Sequence, residues 1–205
     1  MTTLKKIVEY LLNSCYSIFR IEKRNGMSVR GVRDMKKGFK AIDFAYWFLW
    51  YNKLKQIESQ TQDEYDVYEG LTHLKIQKLL YFADGINLAL TDEPLFKEKI
   101  LAWPHGPVVK EVYEKLCVNG RNEILFNEDY IDTIKKINAD NDLYDVLVTT
   151  YDNYAGYTAW QLREKSHIAG GPWQVTVDNK GMQKEIDNKL IKDYFKRNVV
   201  LINEA

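Results

Sequence analysis

The chain has 205 residues, of which 45% are hydrophobic and 28% charged, and its 29 basic side chains balance 29 acidic ones. That length and mixture suit one globular domain with a real core, or one domain carrying an extension. They exclude a protein that is basic or acidic throughout, and no apolar run approaches the ~20 residues that span a bilayer.

The charge is unevenly placed. Residues 1–40 hold ten Lys/Arg against three acids, so residues 41–205 carry a net charge of −7. An asymmetry of this kind suggests that the N-terminal part meets something negative. A partner protein or the acidic remainder of the chain ranks ahead of nucleic acid. Leu4, Ile7, Val8, Leu11, Leu12, Cys15 and Phe19 fit one amphipathic helix. The opening MTTLKKIVEYLL includes Glu9 and lacks a small-residue cleavage site, which argues for a cytoplasmic protein over a secreted one. Arg20 to Lys40 reads as an irregular linker with a basic patch at Arg20, Lys23, Arg24, Arg30, Arg33, Lys36 and Lys37. Only one apolar-faced helix is evident here, whereas a helix-turn-helix reader of DNA needs two.

Ala41 to Leu54 predicts a helix in which Phe44, Trp47, Phe48 and Tyr51 share a face and form core, leaving Tyr46 and Trp50 as candidates for exposure. Gln56 to Gly70 is acidic and reads as a solvated connector. Thr72 is then a plausible N-cap for a central helix with Ile76, Leu79, Leu80, Ala83, Ile86 and Leu90 on one stripe. Leu74, Tyr81, Phe82 and Leu88 fall outside that stripe, so the helix is apolar around most of its girth and belongs in the middle of a domain. Lys75, Gln77, Lys78, Asp84 and Asn87 give it a narrow polar side.

Glu93-Pro94 ends that helix, and Phe96 to Trp103 predicts a short extended piece. Trp103-Pro104-His105-Gly106-Pro107 fixes a stiff turn. Pro107 suits the first position of another helix, with Val108, Val109, Val112, Tyr113 and Leu116 as its apolar face and Asn119-Gly120 as its stop. Asn122 to Asn141 reads as a loop with short structure. Asp142 starts a helix carrying Leu143, Val146, Leu147, Thr150, Tyr151 and Tyr154, and Thr158 caps one with Trp160 and Leu162. Gly170-Gly171-Pro172 and Asn179-Lys180-Gly181 are turns. A last helix takes Met182, Ile186, Leu190, Tyr194 and Phe195, and Val199 to Ile202 is a β-prone tail. The expected fold is mainly α, a compact helical domain around a buried central helix. A small antiparallel β element lies near residues 96–103, with further strand possible at 27–32 or 199–202.

THLKIQKLLYFADG, EPLF and AWPHGPVVKEVY closely resemble the signature of the Panacea antitoxin domain family, which includes SocA-like and GepA-like phage-associated proteins. The block from Ala41 to Leu49 is similar to that family's opening helix. The segment from Leu162 to Trp173, with His167 before Gly171-Pro172-Trp173, is similar to a late block, and Ile186 to Phe195 to its closing helix. The order of these motifs divides the chain into a basic extension (1–40), a Panacea-like body (41–198) and a tail (199–205). Asp84 departs from the histidine that the family often has. The resemblance implies a neutralising binder of a protein toxin, acting by direct occlusion or by delivering the toxin to a Clp-type protease.

Reactive chemistry finds little footing. His73, His105 and His167 show no close metal-ligand spacing. Cys15 and Cys117 sit in apolar helical patterns that predict buried, reduced thiols. No phosphate loop or nucleophile elbow occurs. The expectation is therefore a protein that is not an enzyme and takes no cofactor. His105 and His167 are expected to bond backbone carbonyls at turns, beside Trp103 and Trp173. The candidate partner-binding residues are Lys75, Gln77, Lys78 and Asp84 from the central helix, Trp103 and His105 from the stiff turn, and Tyr46 and Trp50.

Overall fold

The structure is a computed structural model, described here over residues 38–61 and 68–199. The expected N-terminal helix, the basic patch from Arg20 to Lys37, the strand suggested at 27–32 and residues 200–205 lie outside the described residues. Eight α-helices and one two-stranded sheet follow in order: α1 (Ala41–Thr61), α2 (His73–Thr91), β1 (Ile100–Trp103), β2 (Gly106–Val109), α3 (Lys110–Leu116), α4 (Ile131–Asn138), α5 (Asn141–Tyr154), α6 (Ala159–Ser166), α7 (Pro172–Lys180) and α8 (Asn188–Asn198). The mainly α architecture with a small antiparallel element is as the sequence predicts.

The hydrophobic pattern of α2 sets this arrangement. Thr72 Oγ1 accepts from Lys75 N–H, and Asp92 closes the other end in a left-handed conformation, φ 61°, with its N–H bonded to the Leu88 carbonyl. Every residue from Lys75 to Ala89 is buried, because α1, α3, α5, α6, α8 and β2 all pack against the rod. Each fully buried Leu, Ile or Phe removes apolar area worth about 1.5–3 kcal/mol. Asp92 also pins the closing helix, taking Lys196 at 2.8 Å and Lys192 at 3.4 Å. Leu90 leaves the expected stripe and is 55% exposed.

α1 buries Phe44, Trp47, Phe48 and Tyr51, as the spacing predicts, and its Trp47 indole stacks on Tyr51 at 4.9 Å. Trp50 is also buried, at 4% exposure, which corrects the expectation that it faces solvent. In a helix so rich in rings, Trp50 joins the same cluster, 5.9 Å from Trp47. Tyr46 is half-buried because Tyr130 stacks on it at 3.8 Å. α1 runs on to Thr61, well into the stretch expected as a connector.

Several other boundaries move. Pro107, Val108 and Val109 lie in β2, and α3 begins only at Lys110. The register pairs Ala102 with Pro107, while Ala102 N–H and C=O bond outward to Lys184 and Gln183. This is a position where the strands exchange no hydrogen bonds, so the proline's missing N–H costs nothing. Met182 and Ile186 precede the last helix: the Gln183–Ile186 segment instead lines the free edge of β1, with Ile186 N–H donating to the Ile100 carbonyl. α4 is the short structure expected within the Asn122–Asn141 loop, and it is a helix because Ile134 and Ile137 reach the core between charged neighbours. α7 follows the Gly170-Gly171-Pro172 turn, with Pro172 in its first turn. Cys117 is half-buried in a short 3-10 turn rather than fully buried.

Candidate functional site

The polar side of α2 does not reach solvent. Lys75, Gln77, Lys78 and Asp84 are 5%, 1%, 2% and 1% exposed, which corrects the reading of this strip as a surface. The physical reason is backbone demand. β2 has only β1 on one side, so the polar groups of its other edge need partners. Gln77 supplies them at Val109, accepting its N–H at 2.7 Å and donating to its carbonyl at 3.3 Å. Lys78 Nζ donates to the Pro107 carbonyl at 3.1 Å. Further along the helix, Asp84 accepts the Leu95 N–H at 2.7 Å, and Asn87 donates to the Glu93 carbonyl at 2.7 Å. These side chains stitch α2 to the hairpin and to the loop before it.

Burial dominates their electrostatics. It pushes the Lys78 ammonium down to about 7, with the Arg163 charge adding to the effect. It raises the Asp84 carboxyl to about 7 against the opposing Leu95 hydrogen bond. Burial also lowers Lys75, with Glu69 opposing.

At the hairpin tip, Gly106 has φ +102°, and a Cβ there would lie 2.5 Å from Lys78 Nζ and 2.9 Å from both Ser166 Oγ and His167 Cε1. Glycine is therefore required by conformation and by space. His167 follows α6 and places its Nδ1 2.7 Å from the Arg163 carbonyl, so Nδ1 carries the proton. Its ring lies 3.7 Å from that of Trp173, whose indole N–H donates to the Trp103 carbonyl at 2.9 Å. Burial holds His167 below the usual imidazole range, with the Arg163 and Lys78 charges opposing protonation further. The expected role of His167 as a turn cap beside Trp173 is what the structure shows. Trp103 is half-buried, 4.9 Å from Tyr113, and His105 is exposed at the turn.

A lysine, a serine and a histidine thus meet at one glycine, but their polar atoms are largely engaged by backbone. Ser166 Oγ donates to the Arg163 carbonyl at 2.7 Å and is 2% exposed as a residue, like Lys78. Among the described residues, the partners of Lys78 Nζ, Ser166 Oγ and His167 Nδ1 are backbone carbonyls and each other, not a carboxylate such as orients a catalytic base. Among the described residues, no three His, Cys, Asp or Glu side chains gather as metal ligands do. A separate groove of about 520 Å³ between α2 and α5, with Ile86, Leu90, Val146 and the Tyr154 ring among its walls, carries the carboxylates of Asp142 and Asp145.

What the sequence reading missed is the outer face of α6. Thr158 and Gln161 form a reciprocal capping box, and Leu162 and Ser166 point inward. Trp160 is left 65% exposed with the Arg163 guanidinium 4.8 Å from its ring centre, and Lys165 Nζ lies 4.3 Å from the ring centre of Tyr157. The clue was available: with Leu162 placed inward, a residue two positions earlier lies on the opposite side of a helix.

Comparison with known proteins now becomes informative. The profile of the family described as "Antitoxin SocA-like, Panacea domain" matches residues 76–174, from the first turn of α2 into α7. Antitoxin SocA from Caulobacter vibrioides (strain NA1000 / CB15N) is 32% identical over 136 residues, covering 62% of this chain and 72% of that protein. No solved structure matches. Among the described residues, no helix is long and apolar enough to cross a membrane. The chain belongs to the SocA-like Panacea antitoxin family.

Proposed function

We propose that this protein neutralises a cognate protein toxin by direct contact, as a cytoplasmic binder without turnover of its own. The match to Antitoxin SocA over 136 residues carries this reading. The architecture supports it, because the buried polar groups of α2 serve the protein's own backbone and leave recognition to the exterior. A rigid body that presents aromatic and cationic side chains loses little entropy on docking.

The test is co-expression. A neighbouring gene whose product arrests growth alone is expressed with and without this chain, and the two proteins are then purified together. Direct neutralisation predicts restored growth, a stoichiometric complex, and rescue that persists in a host lacking Clp proteases. Rescue lost in that host means proteolytic delivery and overturns the direct-contact reading. Retention of DNA at low salt, weakening steeply as salt rises, would point to a nucleic-acid regulator.

A further inference from the structure

Tyr157, Trp160 and Ile168, at 37%, 65% and 50% exposure, are three of the exposed large apolar residues, and all three belong to one short helix and its two ends. The fold does not need them there. α6 is anchored by Leu162 and Ser166 on its inner side, by its capping box, and by His167 against Trp173. Its outer side carries an exposed tryptophan, a tyrosine and an arginine, residue types enriched at protein interfaces, with Lys165 beside the tyrosine.

The cations are placed, not merely nearby. Arg163 lies over the Trp160 ring while its Nη1 holds Glu164 at 2.7 Å, and its Nε is buried with no hydrogen-bond partner. Lys165 lies over the Tyr157 ring. A ring beneath each ammonium or guanidinium stabilises it in place and limits its rotamers before binding. Glu164 is the acid on this face and is already paired with Arg163. The surface therefore presents an exposed tryptophan with one cation, Lys165, that no acid on this face pairs, on a body whose residues 41–205 total −7.

We infer that the outer face of α6 is the docking surface for the toxin, and that it receives a segment pairing an apolar side chain with an acidic one. The apolar side chain covers Trp160, and the carboxylate meets Lys165, held over the Tyr157 ring. This rests on the neutralising role proposed above. Two cations, one of them already paired, are too few to track a phosphate backbone, which favours an acidic polypeptide over nucleic acid.

The experiment uses the full chain and the growth-arresting product of the neighbouring gene. Trp160→Ala, Trp160→Phe and Lys165→Glu are compared with the unaltered chain for rescue and for affinity by calorimetry, with thermal melts to confirm folding. Trp160→Ala is expected to weaken binding by about tenfold or more, the effect of removing an interface anchor. Trp160→Phe should recover most of that loss. Lys165→Glu should weaken binding and flatten its dependence on salt. If the unaltered chain neutralises the toxin and all three folded variants bind as tightly, the α6 surface is wrong while the antitoxin role stands. If the unaltered chain neutralises nothing, the antitoxin role itself fails, and this inference with it. Loss of single-stranded nucleic-acid binding in Trp160→Ala would overturn the protein-docking assignment.

Discussion

Gln77 and Val109 exchange two hydrogen bonds, N–H to Oε1 at 2.7 Å and Nε2 to the carbonyl at 3.3 Å, so one side chain from the central helix takes the place of a missing strand at the edge of β2. Replacing Gln77 by leucine leaves a donor and an acceptor unsatisfied inside the protein, each worth about 1–3 kcal/mol. We expect Gln77→Leu to lose about 2–4 kcal/mol in urea unfolding. A loss below about 0.5 kcal/mol, the scale of an ordinary surface change, would show that the edge is satisfied otherwise.

The two strongly shifted groups on α2 give stability a pH signature. Asp84 titrates near 7 in the folded chain against an ordinary 3.8, so the folded state binds the extra proton between those values. Its contribution therefore falls as pH rises through that window. Lys78 titrates near 7 against an ordinary 10.5, so the unfolded state binds more protons between those values, and its contribution rises with pH there. Arg163 and His167 face Lys78, and Tyr81 is coupled to Asp84. Asp84→Asn should flatten the acid limb of unfolding free energy against pH, and Lys78→Met the alkaline limb. Unchanged profiles would show that both groups are solvated.

Gly106 and Gly120 both have positive φ, but only Gly106 is crowded. Gly106→Ala drives a methyl into Lys78 Nζ, Ser166 Oγ and His167, and is expected to cost about 2–4 kcal/mol. Gly120→Ala, at φ 57° and ψ −124° with no atom within 4 Å, adds backbone strain of about 1–3 kcal/mol but no clash, and should cost less than Gly106→Ala. Equal losses in paired thermal melts would contradict the packing at the hairpin tip.

Gly85 lies where α8 crosses α2, and a Cβ on it would sit 2.4 Å from Phe195 Cζ. Alanine gains about 1 kcal/mol of helix propensity and loses about 1–3 kcal/mol to overpacking. Gly85→Ala should therefore destabilise. The double variant Gly85→Ala/Phe195→Leu should be more stable than the sum of the two single effects. Simple additivity would mean that the side chains do not touch.

The strongest signals in the sequence were the ones that survived. Thr72, the apolar girth of α2, Pro94 and the aromatic stripe of α1 fixed the centre of the fold, because periodicity and capping act locally. Pro107 misled, since a proline fits the first turn of a helix and a strand position without a ladder bond equally well. α4 was anticipated only as unspecified short structure, because its two buried isoleucines stand among lysines and aspartates. The polar strip of α2 misled most. A sequence shows that Gln77, Lys78 and Asp84 share a helix, but not that a distant hairpin needs their hydrogen bonds. For the same reason Trp160 was read only as part of an apolar pattern, when Leu162 alone fills the inward position beside it.

Amide hydrogen exchange of this chain, alone and saturated with the toxin it is proposed to neutralise, separates an interior role for α2 from a recognition role most directly. Added protection should concentrate at residues 157–168, with the already buried stretch from Lys75 to Ala89 unchanged. Protection confined to other surfaces, with 157–168 exchanging as in the free protein, would contradict the assignment of recognition to α6.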